Sequence, residues 1–136
     1  MSGAIERPRA EPSADTQPYW DGLARGMLLL QRCGECGTVR HYPRPMCDQC
    51  FAFAHDWVEA SGEATVHSWT VTHHAFHPAF KAALPYALVT ADLPEGVRVL
   101  APLEGVDATE LRVGLRLRLG VRDGLPVLRA TLVGPG

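Results

Sequence analysis

The sequence predicts a mainly β protein in three parts: a short N-terminal helical segment, a four-cysteine module and a C-terminal five-stranded barrel of the oligonucleotide/oligosaccharide-binding (OB) type. Three observations predict it. Tyr19, Trp20, Leu23 and Met27 recur at helical spacing. All four cysteines fall in two Cys-x-x-C pairs within "CGECGTVRHYPRPMCDQC". After Glu63 come five short stretches rich in Val, Leu, Thr and Ala, divided by turn material.

Residues 1–16 hold Pro, Ala, Ser and charge without periodicity, and read as a flexible tail. In "QPYWDGLARGMLLLQR", 17–32, Pro18 is suited to the first turn of a helix. Gly26 ends or weakens that helix, and Leu28–Arg32 run as a short strand into the first cysteine. So short a helix is marginal alone in water, and its apolar face must pack on the barrel or on a partner protein.

The cysteine module occupies 33–58. Cys33 and Cys36 form one pair and Cys47 and Cys50 the second, with "GTVRHYPRPM" between them as a hairpin arm. Two such turns supply four thiolates in tetrahedral array, which suits Zn(II). Iron in a similar centre and a disulfide arrangement are the alternatives. Four thiolates fill the shell and leave no open position for water or substrate, so the single ion expected here is structural. No thiol is left over as a nucleophile. His41, between the pairs, reads as a surface or hairpin histidine and not as a ligand.

The segment 59–136 carries the barrel. "EATVHSWTV" (63–71), "YALVTADL" (86–93), "GVRVLAPLE" (96–104), "LRLRLGV" (115–121) and "PVLRATLV" (126–133) are its five strands. Leu115, Leu117 and Leu119 alternate with Arg116 and Arg118, as a half-buried strand requires. Closure removes the edges that five open strands would expose. The long link "THHAFHPAFKAALP", 72–85, is expected to be exposed, with a helical turn in "AFKAAL" before Pro85.

With 136 residues, 46% of them hydrophobic and 21% charged, the chain is globular. A net charge of −2 removes the basic excess that phosphate binding draws upon. A zinc-ribbon and barrel protein for nucleic acid, using Trp69, Tyr86, Arg98, Arg116 and Arg118, is therefore the weaker alternative. The longest apolar run, "GMLLLQ", is too short to span a bilayer, and the first residues lack a signal-peptide core. A cytoplasmic protein is expected. His67, His73, His74 and His77 are the candidate acids or bases, but no zincin pattern, nucleophile elbow or phosphate loop accompanies them. A stand-alone acyl-CoA enzyme is the third alternative.

The order of "YWDGLARGMLLLQRCGECG", "YPRPMC", "SGEATVHSWTV" and "LPYALVTADLPEG" resembles the DUF35 family of OB-fold, acyl-CoA-associated proteins, over about residues 18–133. All four cysteine positions of that family are filled. The resemblance implies that the cysteine module is a rubredoxin-like zinc ribbon. It implies a thiolase-superfamily partner, whether thiolase, synthase, lipid-transfer-protein-like aldolase or acyltransferase, with the catalytic groups in that partner. The chain would then be a non-catalytic subunit in a heteromeric assembly. Tyr19, Trp20, Leu23 and Met27 would meet the partner or the adjoining barrel. His73, His74, Phe76, His77, Phe80 and Lys81 would lie near the acyl-CoA route.

Overall fold

A computed structural model describes residues 7, 8 and 10–131. Helix α1 spans Gln17–Ala24 with Pro18 in its first turn, where the missing N–H is not needed. The chain just before it is not featureless: the backbone N–H of Gln17 donates to the Ser13 carbonyl at 2.8 Å, and the Ser13 and Thr16 hydroxyls lie 3.1 Å apart. The last residues of the expected tail thus form a turn, while residues 1–6 and 9 lie outside the described part. Gly26, at φ +81°, releases the chain from the helix.

Strand β1 (Leu29–Cys33) follows, then β2 (Val39–Arg40) and β3 (His55–Glu59). They form an antiparallel sheet in the order β2-β1-β3. β1 was expected one residue earlier. β3 was not expected at all, because "HDWVE" lacks clean alternation, and its pairing with β1 over five positions is what builds the ribbon. An exposed ion pair from Arg32 to Asp56, 2.6 Å, ties the two strands across that register.

The barrel is closed by β4 (Glu63–Thr72), β5 (Tyr86–Asp92), β6 (Arg98–Glu104), β7 (Arg116–Arg122) and β8 (Leu125–Ala130), in the order β4-β5-β6-β8-β7. β6 and β8 close it in parallel, with Leu103 opposite Leu128 and Glu104 opposite Arg129. β7 and β8 turn at Asp123 and Gly124, both at positive φ, as a two-residue hairpin demands. A register shift between Val66 and Ser68 changes the face of β4 midway. Ala64 and Val66 point inward before it; after it Trp69, opposite Val89, packs against the core, while Val71, opposite Ala87, is exposed. The link 73–85 holds a 3₁₀ turn over Pro78–Ala83.

One apolar core runs through all three parts. Tyr19 and Leu23 from α1, Leu28 just before β1 and Leu30 in it join Val66, Val89, Val99, Leu117 and Leu128 of the barrel. The helix therefore lies on its own barrel, and β1 runs from that core to the cysteines.

Candidate functional site

The two Cys-x-x-C turns superimpose in their bonding. In the first, the N–H of Gly37 donates to the Cys33 carbonyl at 3.1 Å and that of Cys33 to the Thr38 carbonyl at 2.9 Å. In the second, Phe51 donates to Cys47 at 3.0 Å and Cys47 to Ala52 at 2.9 Å. Backbone N–H groups also point at sulfur, from Glu35 to Cys33 Sγ and from Gln49 to Cys47 Sγ, each at 3.4 Å. These turns bring all four Sγ atoms within 4.8 Å of one another, with Cys33 and Cys47 buried and Cys36 and Cys50 at the surface.

The spacing fits a tetrahedral dication. Bonds of about 2.3 Å to zinc imply sulfur–sulfur edges of roughly 3.8 Å; Cys33–Cys50 is 3.5 Å and Cys36–Cys47 is 3.6 Å. No pair is bonded as a disulfide. Thiol acidity shows the same need for a cation. The N–H groups of Cys36 and Glu35 pull the Cys33 thiol down to about 6. Cys50 stands at about 12: the Ala52 N–H lowers it, but the neighbouring sulfurs of Cys33, Cys36 and Cys47 together with burial outweigh that bond. Four thiols so close cannot all ionise until a positive charge sits among them.

The expected partner residues divide in two. Tyr19 and Leu23 are 4% and 1% exposed inside the chain's own core, which removes them from any free surface. They are one helical turn apart and face the barrel together. Trp20 and Met27 are half-buried, and Met27 lies past the end of α1. Only those two retain surface for another protein.

The six loop residues divide likewise. His77 Nδ1 accepts the Ala79 N–H at 3.0 Å and caps the 3₁₀ turn. Phe80 is half-buried, 6.1 Å from the His77 ring and 6.3 Å from Tyr86, with the Arg7 guanidinium 4.8 Å above it. His73, His74 and Lys81 are exposed. Phe76 is 89% exposed, its ring edge-on to His74 at 4.9 Å. No carboxylate pairs with these histidines among the described residues; the one histidine–carboxylate pair is His67–Asp92, 3.5 Å apart on the outside of the barrel. Of the five residues named for nucleic acid, Arg116 and Arg118 are exposed and Tyr86 is half-buried. Trp69 packs against the core and Arg98 is held by Asp92 at 2.8 Å.

Family models match in two adjoining pieces: the rubredoxin-like zinc ribbon domain of ChsH2 over residues 20–56 and the C-terminal OB-fold domain of ChsH2 over 57–122. A solved structure described as the Ltp2-ChsH2(DUF35) aldolase aligns with TM-score 0.80 and 34% identity, over 90% of this chain and 98% of that one. The chain belongs to the DUF35 family. A second DUF35 structure, from Sulfolobus solfataricus, shares the fold at 21% identity and TM-score 0.66, over 87% and 86% of the two chains.

Curated DUF35 relatives include a probable enoyl-CoA hydratase alpha subunit of Thermomonospora curvata, 34% identical over 95% of this chain and 40% of its own length. Another is the 3-oxo-4,17-pregnadiene-20-carboxyl-CoA hydratase alpha subunit of Mycobacterium tuberculosis, 34% identical over 81% of this chain and 34% of its own. The chain therefore spans well under half the length of these two. A DUF35 domain-containing scaffold protein of Pyrococcus furiosus is 28% identical over 76% of each.

Two features of this DUF35 chain escaped the sequence. His41 is not a surface histidine: both ring nitrogens are buried without a hydrogen-bond partner, and burial pushes it down to about 4. It lies 5.5 Å from the Tyr19 ring and 3.9 Å from Tyr42. Beside it in the chain, buried Arg40 donates through Nε to buried Gln31 Oε1, which also takes the Arg44 N–H at 2.8 Å. The second feature is Phe51, whose backbone sits at φ +64°.

Proposed function

We propose that this chain is a non-catalytic accessory subunit of an acyl-CoA-processing assembly whose catalytic subunit belongs to the thiolase superfamily. The observation that carries it is the likeness, over 98% of that chain, to the DUF35 component of an aldolase bearing two names, Ltp2 and ChsH2. Relatives named as acyl-CoA hydratase alpha subunits and as a benzoylsuccinyl-CoA thiolase subunit support the substrate class. Cys33, Cys36, Cys47 and Cys50 would hold one zinc ion, which locks the two turns together and leaves no position for water or substrate. With every thiol in that shell, the chain has none to accept an acyl group.

Its contribution is then order and exclusion of water around chemistry in the partner. Trp20 and Met27 offer apolar surface beside the core-facing half of α1. His73, His74, Phe76 and Lys81 stand out from the barrel on the loop nearest the acyl-CoA path in this arrangement. Phe76 offers a ring to the pantetheine arm and Lys81 a charge to phosphate. The assembly is placed in the cytoplasm, where Cys-x-x-C pairs hold metal.

The test is recovery of the lightly tagged chain from its own cells. A thiolase-superfamily protein in fixed ratio, with zinc at one per chain, is the expected result. Recovery alone, or turnover of an acyl-CoA by the isolated chain, would overturn it.

A further inference from the structure

The two cysteine turns provide an internal comparison. The backbone bonds that close them match, and the residue after the second cysteine has positive φ in both: Gly37 at +75° and Phe51 at +64°. The turn thus demands a left-handed backbone at this point. Glycine meets the demand freely; a bulky side chain does not. A Cβ at Gly37 would touch nothing within 4 Å, so neither turn requires glycine for want of room. Phe51 is nonetheless present, and its ring is 66% exposed. Backbone strain and exposed apolar surface both disfavour phenylalanine here.

Phe51 also has company. Phe53 is 70% exposed, Tyr42 51% and Met46 40%, so four large apolar side chains bracket the second turn. Together they present roughly 400 Å² of apolar surface. That is about half of what one partner contributes to a standard interface of roughly 800 Å² a side. The only charges from Tyr42 to Phe53 are Arg44 and Asp48, which neutralise each other at 3.3 Å. With no free cation among them, the patch is unsuited to phosphate or an anionic bilayer and suited to an uncharged protein groove.

We infer that Phe51 and Phe53 are the anchor by which the ribbon docks into an apolar groove on the catalytic subunit. The inference rests on the accessory role proposed above. An ion held by the four thiolates would then have a second consequence: it would fix the left-handed turn that presents the Phe51 ring.

The test has two arms. In the isolated chain, Phe51→Asn keeps a residue that tolerates positive φ and removes the ring. It should retain zinc and melt no lower than the unaltered protein. A fall of several degrees would mean that the ring stabilises the fold, and would overturn the inference. In its own cells, the full chain is expressed with photoreactive p-benzoylphenylalanine substituted for Phe51, and separately for exposed Arg116. The position-51 probe should cross-link to the thiolase-superfamily subunit and the position-116 probe should not. Phe51→Asn should recover at least tenfold less of that subunit. Cross-links to lipid, to a second copy of the chain or to nothing, while the tagged unaltered chain still brings down the subunit, would overturn the anchor and leave the accessory role standing. Failure of the unaltered chain to bring down any such subunit would overturn both.

Discussion

His41 sits where α1 meets the ribbon, and its environment sets an acid response. Burial lowers it from 6.5 to about 4. As pH falls, the unfolded chain takes up this proton first. Stability is therefore complete above about pH 6.5 and declines toward pH 4, by about 3 kcal/mol at most. Protonation of thiolates would release metal over an overlapping range, so the two must be separated. His41→Phe keeps an aromatic ring and removes two unpaired polar atoms. It is expected to melt no lower than the unaltered chain at pH 7 and to lose less between pH 6.5 and 5. Melting curves against pH, with released zinc followed by a coloured chelator, check this; identical acid limbs would refute it. The clustering of the four cysteines was legible because Cys-x-x-C spacing is local. The state of His41 was not. It depends on Tyr19, 22 positions earlier, arriving through tertiary packing.

Among the elements, α1 shows how local preference yields to packing. Helix propensity alone makes alanine better than glycine by about 1 kcal/mol. Yet a Cβ on Gly22 would come within 2.8 Å of Leu29 Cγ and 3.2 Å of the Met27 carbonyl oxygen. Gly22 is where the helix closes onto β1, so Gly22→Ala should destabilise the protein by about 1–2 kcal/mol in spite of propensity. Leu23→Ala, in the core, should cost about 3 kcal/mol. Denaturant midpoints measure both. Trp20→Ala, half-buried on the other flank, should change stability far less while weakening recovery of the partner. All five barrel strands were readable from β-branched and leucine-rich runs between turns, each to within a few residues, although residues 132 and 133 of the last expected stretch lie outside the described residues. β3 was unreadable because the His55–Glu59 strand earns its conformation from pairing with β1, not from alternation. β4 hid its change of face, since the bulge near His67 leaves no mark in composition.

At the scale of the whole molecule, β1 links two kinds of stabilisation. Leu28 and Leu30 belong to the apolar core shared with the barrel, whereas Cys33, three residues on from Leu30, belongs to the cysteine cluster. The barrel closes on itself through β6 and β8 and draws nothing from the cysteines. The cysteine turns have the opposite balance: β2 is two residues long, and the link from Cys36 to Cys47 has little regular structure. An ion held by the four thiolates would therefore supply most of the folding energy of residues 33–54, and hydrophobic burial most of that of the barrel. Stripping the metal, or replacing Cys33 by Ser, should unfold the ribbon without dissolving the barrel. Hydrogen exchange resolves the two. Amides of Glu35, Cys36 and Gln49, which point at sulfur, should lose protection on chelation, while those of Val89 and Val99 retain it. Because Tyr19 and Leu23 hold α1 to the barrel side of β1, the helix should stay protected as well. Uniform loss across barrel and ribbon would show that the metal stabilises the entire chain through β1. A ribbon that melts alone would instead make partner recovery metal-dependent while the barrel remains folded, so zinc content would govern assembly through the shape of one end of the molecule.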